Sequence, residues 1–218
     1  MSKYAYYFFD LDGTLTQSEY GIMESFRYAL EKMGIDDGGD EKLKTFIGPP
    51  LFNSFRDGYR LSDEEADRGV TLYREYYNEY GFKNAPLYEG ITCCLEQLKS
   101  EGAVLMVVTS KPEALARRVI QVKEIERYFA DVVGPTPDNK EPDKSWLIYE
   151  AMRRLGIEKD NSDVKKKMVM IGDRFYDIEA AKKVGIDSVG VLYGYGSLEE
   201  LKSAGATYLA ERPENIVQ

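Results

Sequence analysis

Short apolar runs recur along the chain and predict strands. Residues 4–9 form an aromatic-rich run, and residues 103–108, 129–133, 168–171 and 188–192 follow the same pattern. The runs do not alternate strictly with polar residues, so they are typical of parallel strands that are covered on both faces. Helical segments separate the later runs. This alternation predicts an α/β fold with a doubly wound, mostly parallel sheet.

A different pattern occupies residues 18–80, where apolar residues recur at three- and four-residue spacing. It predicts four helices and no strand. The last of them begins at Ser62-Asp63-Glu64-Glu65, which resembles a capping box, and its tyrosines are expected mostly in a helical core. We therefore expect an all-helical domain over residues 17–86, inserted into an α/β core that comprises residues 1–16 and 87–218.

Composition restricts the possible chemistry. The chain contains no histidine, which excludes Ser–His and Cys–His catalysis and argues against zinc. A net charge of -9 argues against a nucleic-acid or anionic membrane surface. The only cysteines, Cys93 and Cys94, are neighbours on a predicted helix, and we expect them to be reduced and partly buried. With no long apolar segment, these features favour a soluble, cytoplasmic protein.

Polar residues follow the predicted strands where open α/β sheets place their sites. In chain order they are Asp10, Asp12, Thr109, Lys144, Asp173 and Asp177. Carboxylates brought together at one sheet edge repel each other by about 4 kcal/mol per pair at about 4 Å, so a cation is required. Oxygen ligands without histidine favour Mg²⁺. Thr109 alone would be a turn residue and Lys144 alone a surface lysine, but the ordered set is typical of phosphoryl transfer through an aspartyl-phosphate.

The motifs resemble those of the haloacid dehalogenase superfamily, in its phosphatase branch with a helical cap inserted after the first strand. Residues 10–15 read Asp-Leu-Asp-Gly-Thr-Leu and match the first motif, Thr109 the second, Lys144 the third and residues 172–177 the fourth. The resemblance covers nearly the whole chain and implies a Rossmann-like core. Segments such as Thr-Ser-Lys-Pro and Tyr-Gly-x-Gly-Ser are similar to phosphoglycolate phosphatase-like proteins.

The resemblance also implies roles for individual residues. Asp10 would be the nucleophile, and Asp12 would protonate the leaving oxygen and then activate the hydrolytic water. Mg²⁺ would be held by Asp10, the carbonyl of Asp12 and Asp173, with support from Asp177. Thr109, the Ser110 backbone and Lys144 would bind the phosphoryl group.

Further substrate contacts are expected outside these motifs. Lys111 follows the second motif closely, and Gly48 lies in a helix break that could reach a substrate. Arg56 could pair with a substrate carboxylate or a second phosphate, although a solvated helix residue is an equal reading. Lys140 is the alternative to Lys144 as the third-motif lysine. Gln17-Ser18 stands where the family usually has Asp-Ser, which leaves inferences about the hinge and the cap open.

The leading function is hydrolysis of a small phosphate monoester by a monomer or weak homodimer. A sugar-phosphate mutase would use the same core residues and differ in excluding water from the aspartyl-phosphate. A catalytically silent phosphate-binding module is a second alternative, which the complete set of polar groups disfavours. Dehalogenation and phosphonate cleavage are disfavoured, because neither reaction uses an acid/base at the position of Asp12.

Overall fold

The computed structural model describes residues 3–47, 51–139 and 143–217. The chain divides into two compact units. One unit combines Met1–Gln17 with Leu87–Gln218, and the other is Ser18–Pro86. None of the helices within the described ranges has the length and apolar character that crossing a bilayer requires.

The first unit is built on parallel strands. They are β1 (Tyr6–Phe9), β2 (Val104–Val108), β3 (Phe129–Val133), β4 (Met168–Gly172), β5 (Asp187–Val191) and β6 (Tyr208–Ala210). Their order in the six-stranded sheet is β3-β2-β1-β4-β5-β6. All the pairings are parallel, as predicted. Strand β1 therefore lies in the middle of the sheet, with β2 and β4 as its neighbours.

Helices connect the strands of this unit. They are α5 (Ile91–Ser100), α6 (Glu113–Val122), α7 (Lys144–Arg154), α8 (Ser162–Lys165), α9 (Phe175–Val184) and α10 (Leu198–Ala204), after α1 to α4 of the other unit. Phe8, Met106 and Met170 point into a buried cluster with side chains of α7 and α9. Because α7 follows β3 and α9 follows β4 in a parallel sheet, their amino termini lie near the carboxyl ends of the strands.

The helical unit contains α1 (Glu19–Met33), α2 (Asp40–Lys44), α3 (Leu51–Tyr59) and α4 (Asp63–Glu79). Its centre is aromatic, with the ring of Phe26 lying 4.9 Å from Phe55 and 5.0 Å from Tyr73, centroid to centroid. The predicted capping box at Ser62 is confirmed, since its hydroxyl accepts from the Glu65 main-chain N–H.

Three details differ from the sequence-based expectations. Tyr80 is 56% exposed, because it caps α4 beyond the last turn and does not lie in the bundle core. Cys93 is exposed and only Cys94 is buried, since neighbours on a helix point in different directions. The helix α8 was not predicted, because it is short and buries no side chain.

Candidate active site

Asp10 and Asp12 lie just beyond the carboxyl end of the central strand. Strand β1 ends at Phe9, and the main-chain N–H of Asp10 still donates to the carbonyl of Ile171 on β4, at 2.9 Å. Gly13 then turns the chain with φ at +81°, a conformation that glycine adopts without strain. The chain therefore leaves the strand at these aspartates, and the turn lets both carboxylates face the same edge of the sheet.

Three carboxylates converge at this edge. Asp10, Asp173 and Asp177 each offer an oxygen, and these oxygens all lie within 4.8 Å of one another. Asp173 follows β4 and Asp177 lies in the first turn of α9, so adjacent parallel strands bring them to Asp10. No other cluster of three acidic or cysteine side chains within the described ranges has this geometry.

Lys144 supplies the positive charge for this cluster. It is the first residue of α7, and its ammonium lies 3.0 Å from Asp10 Oδ1 and 2.9 Å from Asp177 Oδ1. Its side chain is only 7% exposed. Burial alone would lower the pKa of this ammonium, but the charges of Asp10 and Asp177 outweigh burial and raise the pKa above its usual value.

One lysine does not neutralise three carboxylates. Burial, followed by the charges of Asp10 and Asp177, raises the pKa of Asp173 to about 8. Burial also raises the pKa of Asp177 to about 6, against the opposing effect of Lys144. Asp173 therefore retains its proton at neutral pH in the protein without a metal, and binding of a divalent cation would release it.

The carboxylate of Asp173 is held by groups that the sequence did not single out. Thr14 donates its hydroxyl to Asp173 Oδ1 at 3.2 Å, and the main-chain N–H of Tyr195 donates to Oδ2 at 2.9 Å. A Cβ on Gly13 would lie 2.3 Å from Asp173 Oδ2, so the backbone approaches this carboxylate closely. The available signals were the threonine of the first motif and the glycines at 194 and 196, which allow the loop after β5 to come near.

Asp12 has a different partner. Its Oδ2 lies 2.6 Å from the ammonium of Lys111, whose side chain is 7% exposed. Its Oδ1 is buried and accepts no hydrogen bond from any described residue. The structure thus brings Lys111 to the site, as an ion-pair partner of Asp12. Its expected contact with the substrate stays a prediction.

The residues of the second motif lie at the end of β2. Thr109 is buried, and its main-chain N–H donates to the carbonyl of Val133 at 2.9 Å. Its hydroxyl oxygen accepts the main-chain N–H of Lys111 at 3.2 Å, so its proton remains available for another acceptor. Ser110 lies between them and is exposed. These positions suit an oxyanion contact.

Three other predicted residues lie in the helical unit or outside the described residues. Gly48 and Lys140 lie outside the described residues. Arg56 belongs to α3 of the helical unit, where its guanidinium pairs with the neighbouring Asp57 at 2.8 Å and its side chain is 40% exposed. This arrangement leaves its role in substrate selection untested.

The donor set fits Mg²⁺. Asp10, Asp173 and Asp177 are hard oxygen ligands, and the chain has no histidine that would favour a transition metal. The three carboxylates carry more negative charge than the ammonium of Lys144 balances, which favours binding of a cation. The part predicted for Asp12 rests on its main-chain carbonyl and stays a prediction.

Comparisons with known proteins agree on one family. The family model described as haloacid dehalogenase-like hydrolase matches residues 7–191. A solved structure of a candidate phosphatase from Clostridium difficile is 40% identical, with a TM-score of 0.90 and coverage of 99% of this chain and 98% of that one.

Curated relatives carry different activities in their names. A 5'-nucleotidase of Pseudomonas aeruginosa is 34% identical over 94% of this chain and 90% of its own. The tyrosine-protein kinase PtkA of Mycobacterium tuberculosis is 34% identical over 91% of this chain and 66% of its own. A phosphoglycolate phosphatase of Vibrio cholerae is 29% identical over 93% and 91% of the two chains. The resemblance to phosphoglycolate phosphatases is thereby confirmed, and the names of the other relatives cover further kinds of phosphoryl chemistry.

Proposed function

Because the chain belongs to the haloacid dehalogenase-like hydrolase family, we propose that it is a phosphatase that hydrolyses small phosphate monoesters with Mg²⁺. The observation that carries this proposal is the convergence of Asp10, Asp173 and Asp177 around the buried ammonium of Lys144. A nucleophilic carboxylate next to a cation site is the arrangement that phosphoryl transfer through an aspartyl-phosphate requires.

Asp10 is the proposed nucleophile. A carboxylate oxygen of Asp10 attacks phosphorus, the bond from phosphorus to the leaving oxygen breaks, and the phosphoryl group becomes bonded to Asp10. The ion pair with Lys144 at 3.0 Å keeps this carboxylate in place, while the buried setting strengthens the electrostatic attraction between them. Water then attacks phosphorus and regenerates the carboxylate.

Asp12 is the proposed acid and base. It gives a proton to the leaving oxygen in the first step and takes a proton from the attacking water in the second, so the proton balance closes over one turnover. Its position two residues after the nucleophile puts it on the same turn, and its buried Oδ1 has no protein hydrogen-bond partner in the described structure. We propose that this oxygen, and not the Oδ2 that pairs with Lys111, exchanges the proton.

The remaining groups bind the charged end of the substrate. Mg²⁺, held by Asp10, Asp173, Asp177 and the carbonyl of Asp12, would supply positive charge against the phosphoryl oxygens. Thr109 would donate its hydroxyl to the same oxygens, next to the Ser110 backbone and Lys144. Thr14 and Tyr195 keep the Asp173 carboxylate fixed for metal binding.

The substrate class is proposed from the names of the relatives, which act on nucleotides and phosphoglycolate in the cases above. We propose that the helical unit is a cap that selects the leaving group and that Gly48 and Arg56 contribute to this selection. Replacing Arg56 with Ala should raise KM for an acidic substrate such as phosphoglycolate far more than for p-nitrophenyl phosphate. An equal rise for both would remove Arg56 from the specificity residues.

The direct test is phosphate release from a panel of monoesters: p-nitrophenyl phosphate, phosphoglycolate, AMP and glucose 6-phosphate. We expect turnover with Mg²⁺, loss of turnover in excess chelator, and loss in the Asp10→Asn variant. Conversion of glucose 6-phosphate to an isomer without phosphate release would favour the mutase. Binding of phosphate without turnover of any ester would favour the silent module, and full activity in chelator would refute the metal site.

A further inference from the structure

Two lysines with buried side chains lie at the catalytic cluster, and they form ion pairs with different carboxylates. Lys144 contacts Asp10 and Asp177, whereas Lys111 contacts Asp12 at 2.6 Å. Both lysine side chains are only 7% exposed. Burying an ammonium is costly unless a charged partner compensates for the lost hydration. We therefore expect each lysine to stay paired with the carboxylate that it contacts.

We infer that Lys111 is a positioning residue that holds the Asp12 carboxylate in the orientation for proton transfer to the leaving oxygen. The inference rests on the proposed phosphatase function and assigns Lys111 a part other than direct contact with the phosphoryl group.

The backbone of Lys111 is fixed by two neighbours. Its N–H donates to the Thr109 hydroxyl oxygen at 3.2 Å. Its carbonyl lies so close to Gly134 that a Cβ there would be 2.4 Å away. Gly134 is buried beyond the end of β3, and only a residue without a side chain lets the two segments approach in this way. The main chain of Lys111, from which its side chain extends, is therefore held in place at the edge of the sheet.

The contact divides the two oxygens of Asp12. Oδ2 faces the ammonium, and Oδ1 is buried without a hydrogen-bond partner among the described residues. A carboxylate on a turn would otherwise rotate about its side-chain bonds. Fixing Oδ2 leaves Oδ1 as the oxygen that exchanges the proton, and misplacement of a catalytic group by about 1 Å can cost about 100-fold in rate.

Two substrates distinguish this part from phosphate binding. An alkyl ester has a poor leaving group and needs the proton from Asp12, while p-nitrophenolate leaves without one. Both substrates share the same phosphoryl group. Loss of a residue that positions Asp12 therefore affects kcat/KM for the alkyl ester selectively, whereas loss of a phosphoryl ligand affects both equally.

The experiment compares Lys111→Met with wild type on p-nitrophenyl phosphate and on the best alkyl ester among glycerol 3-phosphate, phosphoglycolate and AMP. We expect kcat/KM to fall about tenfold or more for the alkyl ester and less than about threefold for the aryl ester. The inhibition constant of inorganic phosphate should stay within about twofold, and Lys111→Arg should recover part of the alkyl activity. Lys99→Met, an exposed lysine on α5, is the matched control and should behave as wild type.

Equal losses on both esters with weaker phosphate inhibition would make Lys111 a phosphoryl ligand and overturn the inference. Unchanged kinetics in Lys111→Met would overturn it as well. Lys111→Met leaves Asp12 without its counter-charge and can fail to fold, so the double variant Asp12→Asn, Lys111→Met is compared with Asp12→Asn alone. Equal alkyl-to-aryl ratios in these two support the inference, and a further selective loss refutes it. No turnover by wild type on any ester would refute the proposed function itself.

Discussion

Removing the charge of Lys144 should destabilise the metal-free protein strongly. In Lys144→Met, Asp10 and Asp177 lose an ammonium at 3.0 and 2.9 Å, while three carboxylate oxygens stay within 4.8 Å of one another. Each of these contacts corresponds to about 5.5 kcal/mol of Coulomb attraction at an effective dielectric of 20, before the cost of burying the ammonium is subtracted. Breaking a buried pair by removing one partner typically costs about 3–5 kcal/mol net.

The assay is thermal unfolding in chelator at about pH 8, followed by circular dichroism. For a chain of this size the cost corresponds to a fall in Tm of roughly 6–20 °C. Excess Mg²⁺ should recover much of it, because the ion restores positive charge to the cluster. Asp177→Asn in the Lys144→Met background should also recover part, because it removes one of the repelling charges.

The matched control is Lys166→Met, which breaks an ion pair with Asp163 whose side chains are 75% and 88% exposed. Exposed pairs contribute about 0–1 kcal/mol, so its Tm should stay within about 3 °C of wild type. If Lys144→Met melts as this control does, or if Mg²⁺ stabilises wild type and Lys144→Met equally, Lys144 does not compensate the carboxylate cluster.

Three further predictions follow from the same site. Asp10→Asn should abolish turnover while leaving the protein folded, because an amide cannot attack phosphorus, and wild-type turnover in this variant would refute the covalent mechanism. In chelator, Tm should fall as pH rises from about 5 to 9, because the pKa of Asp173 is raised to about 8 and that of Asp177 to about 6, so stability from bound protons is lost as each deprotonates. Mg²⁺ should flatten this profile, and a Tm that rises over the same range would contradict it. Gly13→Ala should weaken Mg²⁺ affinity, measured by calorimetry, about tenfold or more, because its Cβ would lie 2.3 Å from Asp173 Oδ2. Gly34 has a similar φ of 72°, but a Cβ added there would have no atom within 4 Å. Gly34→Ala should therefore lower stability without changing the affinity for Mg²⁺.

Much of the α/β core was predictable, because the apolar runs in the sequence coincide with the strands that are buried in the structure. The strand Phe129–Val133 has the bounds that the sequence predicts. Apolar runs bounded by glycine or polar residues leave little freedom in where such elements end. The first strand is shorter than its apolar run, since Tyr4 is buried outside it and donates its hydroxyl to Asp187 at 2.5 Å.

The contacts within the site were harder to predict. Strand order brings Asp10 next to Asp173 and Asp177, and the sequence suffices for that. The partner of Lys111 depends on the direction of one long side chain beyond a strand end, and nothing in the order of residues distinguishes Asp12 from a substrate as that partner. The N–H of Tyr195 reaches Asp173 from a loop whose path only the folded chain defines.

The position of β1 in the sheet has a consequence for synthesis of the protein. This strand ends at Phe9, but its neighbours begin only at Val104 and Met168. At about 5–20 residues per second, a ribosome needs roughly 5–20 s to deliver the first of these neighbours. During this interval the aromatic strand that precedes Asp10 has no sheet partner. The helical unit ends at Pro86, so all of its residues are synthesised before Val104. The nascent chain should therefore require protection of its first strand, and slower translation should increase aggregation.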